Sequence, residues 1–329
     1  MKHSIRVLTQ KQVARVLSYP MAIRAVREAF KVYAKGHAVM PAKVYLGVPQ
    51  GDFRAMPAYI GRPEASGLKW VNVHPKNRAA GLPTVMAVIL LNEARTGKLL
   101  AVMEAGLITK FRTAAAAAVA AHALARKNSR EVALIGCGAQ ADAQLLALAA
   151  VHPFKRVRAW GFLPGEARAF CRAMRRKLPA VLFEASDSVK ACVSGADIVI
   201  TVTPSRKPLI LREWISPGTH INAVGADAPG KQELDPAILK AAKVIVDERE
   251  QSIHGGEINV AVSRGLFKPA QIHASLGEVL LGRRSGRRSA KEITVFDSTG
   301  LAIHDVALGH EVLRVAQRKA VGKRIVWPF

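Results

Sequence analysis

Residues Glu131 to Leu148, EVALIGCGAQADAQLLAL, decide the fold. A short apolar run, Val132 to Ile135, meets Gly136-Cys137-Gly138, and apolar residues then resume at helical spacing with Ala143, Leu145, Leu146 and Leu148. The pattern predicts a strand, a tight turn and a helix. At such a junction one glycine lets the chain turn sharply and another lets the backbone approach a pyrophosphate, which rests on the unpaired N–H groups of the helix start. Ala141 stands where a third glycine is usual, and a methyl group still permits close packing of helix on strand. Gly136, Gly138, Ala139 and Gln140 are therefore candidates to hold a dinucleotide. Gly-x-Gly-x-x-Ala is weak by itself, since many strand-to-helix turns use glycine, so its surroundings carry the argument.

Downstream the alternation of strand and helix is sustained. Strands are expected at RVRAWGF from Arg156, near Val181, at DIVITVT from Asp197, THINAVG from Thr219, KVIVDE from Lys243 and ITVFDSTG from Ile293. Helices fall between, at Gly165 to Lys177, near Ser186 to Cys192, and in ELDPAILKAA from Glu233. Such alternation predicts an α/β fold, a Rossmann-type doubly wound parallel sheet with helices on both faces. Ligands of these sheets lie beyond the carboxyl ends of the strands. Polar turns with Gly or Pro occur at three such ends, making Thr203, Ser205, Asn222, Gly225 and Ser298 further candidates for cofactor contacts. The acid that binds the adenosine ribose should end the second strand, about 20 residues beyond the turn. Gly161 stands there, with Glu166 the nearest acid and Arg158 and Arg168 close by in sequence, so both NAD and NADP are admissible.

Upstream the pattern is different. Two helical stretches span Thr9 to about His37, followed by strands at KVYLGV, FRAMPAYI, GLKWVNVH, TVMAVILLN and KLLAVMEA. ARTG, Ala94 to Gly97, suits a hairpin turn, and Pro57 marks an edge or bulge position. An alanine-rich helix, Thr109 to Arg126, leads into the strand at Glu131, and a last helix, Leu301 to Lys319, is expected to return to the first domain. We therefore expect an α+β substrate-binding and dimerisation domain from 1–113 with 305–329, and a dinucleotide-binding domain from 114–304. Arg54 and Lys69 lie within strands of the first, where alternation lets both point to solvent, while a buried cation would require a partner. Asp227, flanked by Gly225 and Pro229-Gly230, suits a turn cap as well as a site.

With 329 residues, half of them hydrophobic, the chain can bury two cores. No apolar run is long enough to cross a bilayer and MKHSIRVLTQ lacks a signal-peptide core, so a cytoplasmic location and no membrane partner are expected. The three cysteines, Cys137, Cys171 and Cys192, are odd in number and widely spaced, which favours buried thiols over a disulfide or a metal site. The net charge of +25 would suit nucleic acid, but the basic residues are spread along the chain. They concentrate locally at Arg172 to Lys177 and in RRSGRRSAK, Arg283 to Lys291; the latter has no interleaved aromatics, and a solvated basic surface is the better reading.

Taken in order, GLKWVNVHPKN, GLPTVMAVILLNEARTG, FRTAAAAAVAA, IGCGAQA, TPSRKPLI, GTHINAVGADAPGKQELD, HGGEINVAV and FDSTGLAIHDVA resemble the ornithine cyclodeaminase and mu-crystallin family over nearly the whole chain. MPAKVYLGVPQGDFRAMPAYI and GADAPGKQELD look most like its archaeal-type alanine dehydrogenase branch. The resemblance implies a homodimer joined through the first-domain sheets, and reduction of the imine of a small 2-oxo acid, pyruvate, by a nicotinamide cofactor. It implies that Arg54, helped by Lys43, holds the substrate carboxylate, that Lys69 and Asp227 do acid–base chemistry, and that Thr84, Arg112 and Thr113 contact cofactor phosphates. These types suit reductive amination: a guanidinium grips a carboxylate, and a desolvated lysine near another cation works at neutral pH. The cyclodeaminase branch is expected to carry a glutamate within the segment that reads FRAMPAY here, which argues against ring-closing deamination of ornithine. A reductase of cyclic ketimines, such as pyrroline- or piperideine-2-carboxylate, is the nearer alternative.

Overall fold

The computed structural model describes residues 3–327, so the first two residues of the MKHSIRVLTQ start and the last two of the chain lie outside it. The chain divides into two compact units, Met1–Arg112 with Leu301–Phe329, and Thr113–Gly300.

The first unit is built on a largely antiparallel sheet with strands β1 (His3–Leu8), β2 (Ala38–Val39), β3 (Val44–Val48), β4 (Gly51–Gly61), β5 (Glu64–Val73), β6 (Val85–Asn92) and β7 (Leu99–Glu104), plus the C-terminal strand Lys323–Trp327. The spatial order is C-terminal strand, β1, β7, β6, β5, β4, β2, with β3 also on β4 and only the β1–β7 pair parallel. Neither β1 nor the C-terminal strand is anticipated by the sequence pattern; they pair with each other across more than three hundred residues. The hairpin between β6 and β7 turns at Gly97, whose φ of 76° explains the glycine. On its outer side β4 pairs with β3 through Ala55 and with β2 from Tyr59, so Pro57 falls in the gap between them. A residue lacking an N–H is tolerated at such an edge. Alternation along β4 buries Arg54, Met56, Ala58 and Ile60 on one face, and β5 presents Lys69 and Val71 to the same face through the pairs Met56–Lys69 and Arg54–Val71. Helix Ala302–Arg318 packs against β4, β5 and β6 and against helix Tyr19–Ala34.

The second unit is a fully parallel sheet of strands β8 (Glu131–Ile135), β9 (Arg156–Trp160), β10 (Leu182–Ala185), β11 (Ile198–Thr201), β12 (His220–Ala223), β13 (Lys243–Val246), β14 (Ala274–Ser275) and β15 (Thr294–Asp297). Their order is β10-β9-β8-β11-β12-β15-β13-β14. β8 divides its side chains between two cores. Val132 and Leu134 join Leu145, Leu148, Cys171 and Met174 of the helices on one face, while Ala133 and Ile135 join Cys192, Ile238 and Leu239 on the other. The sheet is thus doubly wound, and its strands are buried on both faces, as parallel strands usually are. β14 and the short helices Arg249–Gly255 and Asn259–Ser263 are additions to the expected set. From β8 the chain runs outward to β9 and β10, then returns to the other side of β8 with β11, which makes β8 and β11 the strands between which the winding reverses. No helix among the described residues is long and apolar enough to cross a membrane.

Candidate active site

In the first unit the covered face of the sheet holds a cluster of charges. Lys69, on β5, is 1% exposed, and its Nζ lies 2.7 Å from Asp305 Oδ2 on helix Ala302–Arg318. The other oxygen of Asp305 is 3.0 Å from Nε of the buried Arg112, on helix Gly106–Leu124. One carboxylate therefore serves two cations. Burial pushes the Lys69 amine down from its usual range to about 7, helped by repulsion from Arg112, while Asp305 pulls the other way and Lys43 adds a smaller repulsion. The result is a lysine that exchanges a proton near neutrality.

Arg54, on β4, is also buried. Its Nε and Nη2 donate to the two oxygens of Asp52 at 2.7 and 3.2 Å, and its guanidinium lies 5.1 Å from the ring centroid of Tyr45. The solvent-facing orientation that alternation allowed for Arg54 and Lys69 is thus wrong for both: the pleat turns them to the buried face, where Asp52 of the same strand and Asp305 of the covering helix offset the cost of burial. Lys43 is half-buried just before β3, and Thr84 precedes β6, its carbonyl accepting from the His74 N–H at 2.8 Å. His74 itself is engaged by the Asn72 amide at 3.0 Å. Asp305 and Asp52 are absent from the residues selected by sequence. The available signal for Asp305 was a lone acid amid the apolar residues of LAIHDVAL, which implies a buried cation beside it.

In the second unit the strand ends are held differently. Gly136, at the end of β8, has φ of 103°, and a Cβ there would meet Thr203 Cγ2 at 2.9 Å and the Val202 carbonyl at 3.0 Å. Gly138 faces open space, with nothing within 4 Å of a Cβ position, and the buried Oε1 of Gln140 has no hydrogen-bond partner. Ala139 is exposed beside it and Thr113 is half-buried in its helix. Such a turn fits a dinucleotide: glycine where a side chain would collide, open backbone at the helix start and an orphaned polar atom.

Behind the loops that follow the strands of this sheet lie buried carboxylates that were not among the site candidates from sequence. Glu233 accepts from the Thr201 hydroxyl at 2.6 Å, from the Thr203 N–H and hydroxyl at 2.7 Å each, and from the Gly225 N–H at 2.9 Å. Glu257 accepts from the N–H groups of Glu233 and Leu234 at 2.8 and 2.7 Å, and Asp297 from those of Glu257 and Ile258 at 2.8 and 3.2 Å. Asp247 accepts from the N–H groups of Thr299 and Gly300 at 2.7 and 2.8 Å. Burial raises Glu233 and, with repulsion from Glu233, raises Glu257 well above the usual carboxylate range; burial and then Asp247 bring Asp297 to about 8.

This framework fixes Thr203 and Gly225 at adjacent strand ends, where a side chain at 225 would run into Thr203 and Glu233. Ser205 donates to the Lys207 carbonyl at 2.6 Å, and Ser298 is buried behind β15 with its N–H on Ala223. Asn222 departs from the expectation for a cofactor contact. It lies within the sheet, its amide donating to Ala117 and its oxygen meeting the His220 ring, so its side chain ties β12 to helix Gly106–Leu124. Asp227 is partly exposed and 2.6 Å from Lys231 Nζ. The three cysteines are free thiols, and burial carries Cys137 to about 12. Among the described residues no group of three or more His, Cys, Asp or Glu side chains is placed to hold a metal ion.

Residues 3–320 match the profile of the ornithine cyclodeaminase/mu-crystallin family. The chain is 49% identical to an alanine dehydrogenase of Archaeoglobus fulgidus, over 97% of each chain, and 36% identical to a Δ1-pyrroline-2-carboxylate reductase of Bacillus cereus, over 82% of this chain and 83% of that one. Among solved structures it superimposes on an archaeal alanine dehydrogenase dimer with bound NAD with a TM-score of 0.94 at 48% identity, covering 98% of this chain and 99% of the other. It also superimposes on the Thermococcus litoralis Δ1-pyrroline-2-carboxylate reductase in complex with NADH and L-proline, with a TM-score of 0.94 at 34% identity, covering 98% and 100%.

Proposed function

We propose that this chain, which belongs to the ornithine cyclodeaminase/mu-crystallin family, is an NAD(P)-dependent alanine dehydrogenase that interconverts L-alanine with pyruvate and ammonia through an imine. The observation that carries the reading is Lys69: an amine buried against Asp305 and Arg112, with a proton affinity brought to about 7. In the aminating direction ammonia adds to the pyruvate carbonyl, and the resulting carbinolamine must lose its hydroxyl as water. Protonated Lys69 supplies the proton for that departure, and Asp227 takes the proton that nitrogen sheds. In the reverse direction neutral Lys69 is the base. Arg54, backed by Asp52 and accompanied by Lys43, is assigned to the substrate carboxylate, since a guanidinium binds a carboxylate in two-pronged fashion.

The glycine turn Gly136 to Gln140, with Thr203, Ser205, Gly225 and Ser298, would hold the dinucleotide, and Thr84, Arg112 and Thr113 would face its phosphates. When bound, the nicotinamide supplies or accepts the hydride, and the residues of the protein set its orientation against the imine carbon. We further propose a homodimer working in the cytoplasm. In support, the first unit's sheet exposes Val44, Leu46, Trp70 and Met86, and the archaeal relative is a dimer.

The kinship with pyrroline-2-carboxylate reductases favours cyclic ketimine reduction as a second reading, since it needs the same carboxylate grip and proton donor. The test is a substrate panel run with both reduced cofactors. Oxidation of the cofactor that requires pyruvate and ammonium together, and yields L-alanine, is the expected result. Inertness toward pyruvate with rapid turnover of Δ1-pyrroline-2-carboxylate would establish the second reading instead. Release of ammonia from ornithine without net consumption of cofactor would overturn both.

A further inference from the structure

Resting on the dinucleotide reading, the geometry points to Glu166 as the residue that replaces the missing strand-end acid and makes the site select NAD over NADP. Doubly wound sheets bind the adenosine ribose with a carboxylate at the end of the second strand, which here is β9, ending at Trp160. The next residue, Gly161, has no side chain to offer. Its place is taken, however: a Cβ built on Gly161 would lie 2.7 Å from Glu166 Oε2 and 3.1 Å from both Cβ and Cγ of Glu166. The chain folds back over the strand end through the Glu166 N–H to Leu163 carbonyl bond at 3.1 Å, and the Glu166 carboxylate accepts from the Leu163 N–H at 3.3 Å. The acid is therefore displaced by five residues in sequence while its oxygen stands over the same strand end.

Two further observations belong to the same corner. The Glu166 carboxylate is near enough to the glycine turn to be, after burial, the largest influence raising the Cys137 thiol, so it borders the turn as well as the end of β9. Phe162 and Leu163 between them are 82% and 58% exposed, large apolar side chains at the adenosine end of the sheet where a flat base can rest. The two nearby arginines offer no comparable placement for a 2′-phosphate. Arg158 donates to the Ala191 carbonyl at 3.0 Å, and Arg168 is exposed on the helix that Glu166 begins. A carboxylate accepts the 2′-hydroxyl of NAD and repels the 2′-phosphate of NADP, which is the discrimination the fold ordinarily obtains from an acid at the strand end itself.

The test measures equilibrium binding of NADH and NADPH to the full-length protein by titration calorimetry, without substrate. The wild type is expected to bind NADH at least about tenfold tighter than NADPH, the scale of a hydrogen bond to a charged group. Glu166→Gln should bring the ratio close to one. Gly161 has no positive φ, and the three atoms nearest a Cβ placed there all belong to Glu166, its own Cβ among them. The pair Gly161→Asp with Glu166→Gly, which removes all three of those atoms, should therefore return the acid to the strand end and restore the NADH preference, which loss of structure cannot mimic. Equal or reversed affinities in the wild type, or a ratio unmoved by Glu166→Gln, would overturn the assignment while leaving a dinucleotide site. Binding of neither nucleotide would overturn the dinucleotide reading, and this inference with it.

Discussion

The two units bury polar groups by opposite means. In the first, Lys69 and Arg112 share the carboxylate of Asp305, so cations and anion offset one another directly. In the second, Glu233, Glu257, Asp297 and Asp247 are satisfied by backbone N–H groups and hydroxyls of the loops that follow the strands. The difference follows the work each has to do. An ion pair with two cations leaves a proton poised to move, because small changes of charge nearby shift the balance on Lys69. A carboxylate clasped by several N–H groups instead fixes the loops that donate to it, and a strand-end site needs fixed loops.

The largest effect expected from breaking this contrast is on turnover. Lys69→Ala should lower kcat by at least about 100-fold, the lower range for loss of an acid–base group, while calorimetry shows dinucleotide binding retained. A fully active variant would remove Lys69 from the chemistry. Next in size is the stability of the ion cluster. Asp305→Ala leaves two buried cations without their anion and should cost about 3–5 kcal/mol in urea unfolding. A loss below about 1 kcal/mol would show the cluster to be hydrated and ordinary.

Glu233→Gln tests the other region and should be milder, about 1–3 kcal/mol, because an amide still accepts one N–H but turns a donor toward the rest. Its distinguishing sign is faster hydrogen exchange at the Thr203 and Gly225 amides; if their protection is unchanged, Glu233 does not hold those loops. The smallest effect concerns Cys137. With its thiol pushed up to about 12, it stays protonated at pH 8 and should resist iodoacetamide in the native protein, and rapid alkylation there would show the turn to be open.

What could be read from sequence follows the same division. The doubly wound sheet was legible because Val132 to Ile135, Gly136 and the helix after it are local, and the alternation repeats the message several times. Arg54 and Lys69 could be nominated through the family resemblance, but which way they pointed could not. That they share a face follows from the register of β4 on β5, Met56 against Lys69 and Arg54 against Val71, and only the helix laid over that face decides whether it is wet. Asp305 lies more than two hundred residues from Lys69, and its role exists only in the packed unit. Glu233 and Glu257 are still less visible, since their partners are backbone groups and, for Glu233, two threonine hydroxyls, none of which carries a signature in sequence. Asn222 shows a related limit: a polar residue near a strand end faces the ligand or the sheet interior, and the Ala117 carbonyl that its side chain meets is distant in sequence.

Burial and Arg112 hold Lys69 near neutrality against the pull of Asp305. The pH dependence of kcat for L-alanine oxidation, in the wild type and in Asp305→Asn, tests this directly. Neutral Lys69 is the base in that direction, so kcat should rise with pH through about 7 in the wild type. Removing the negative charge of Asp305 removes an influence that raises the lysine, so the rising limb should move to lower pH. A limb near 10, the ordinary range of an exposed lysine, or one that stays in place in Asp305→Asn, would contradict it.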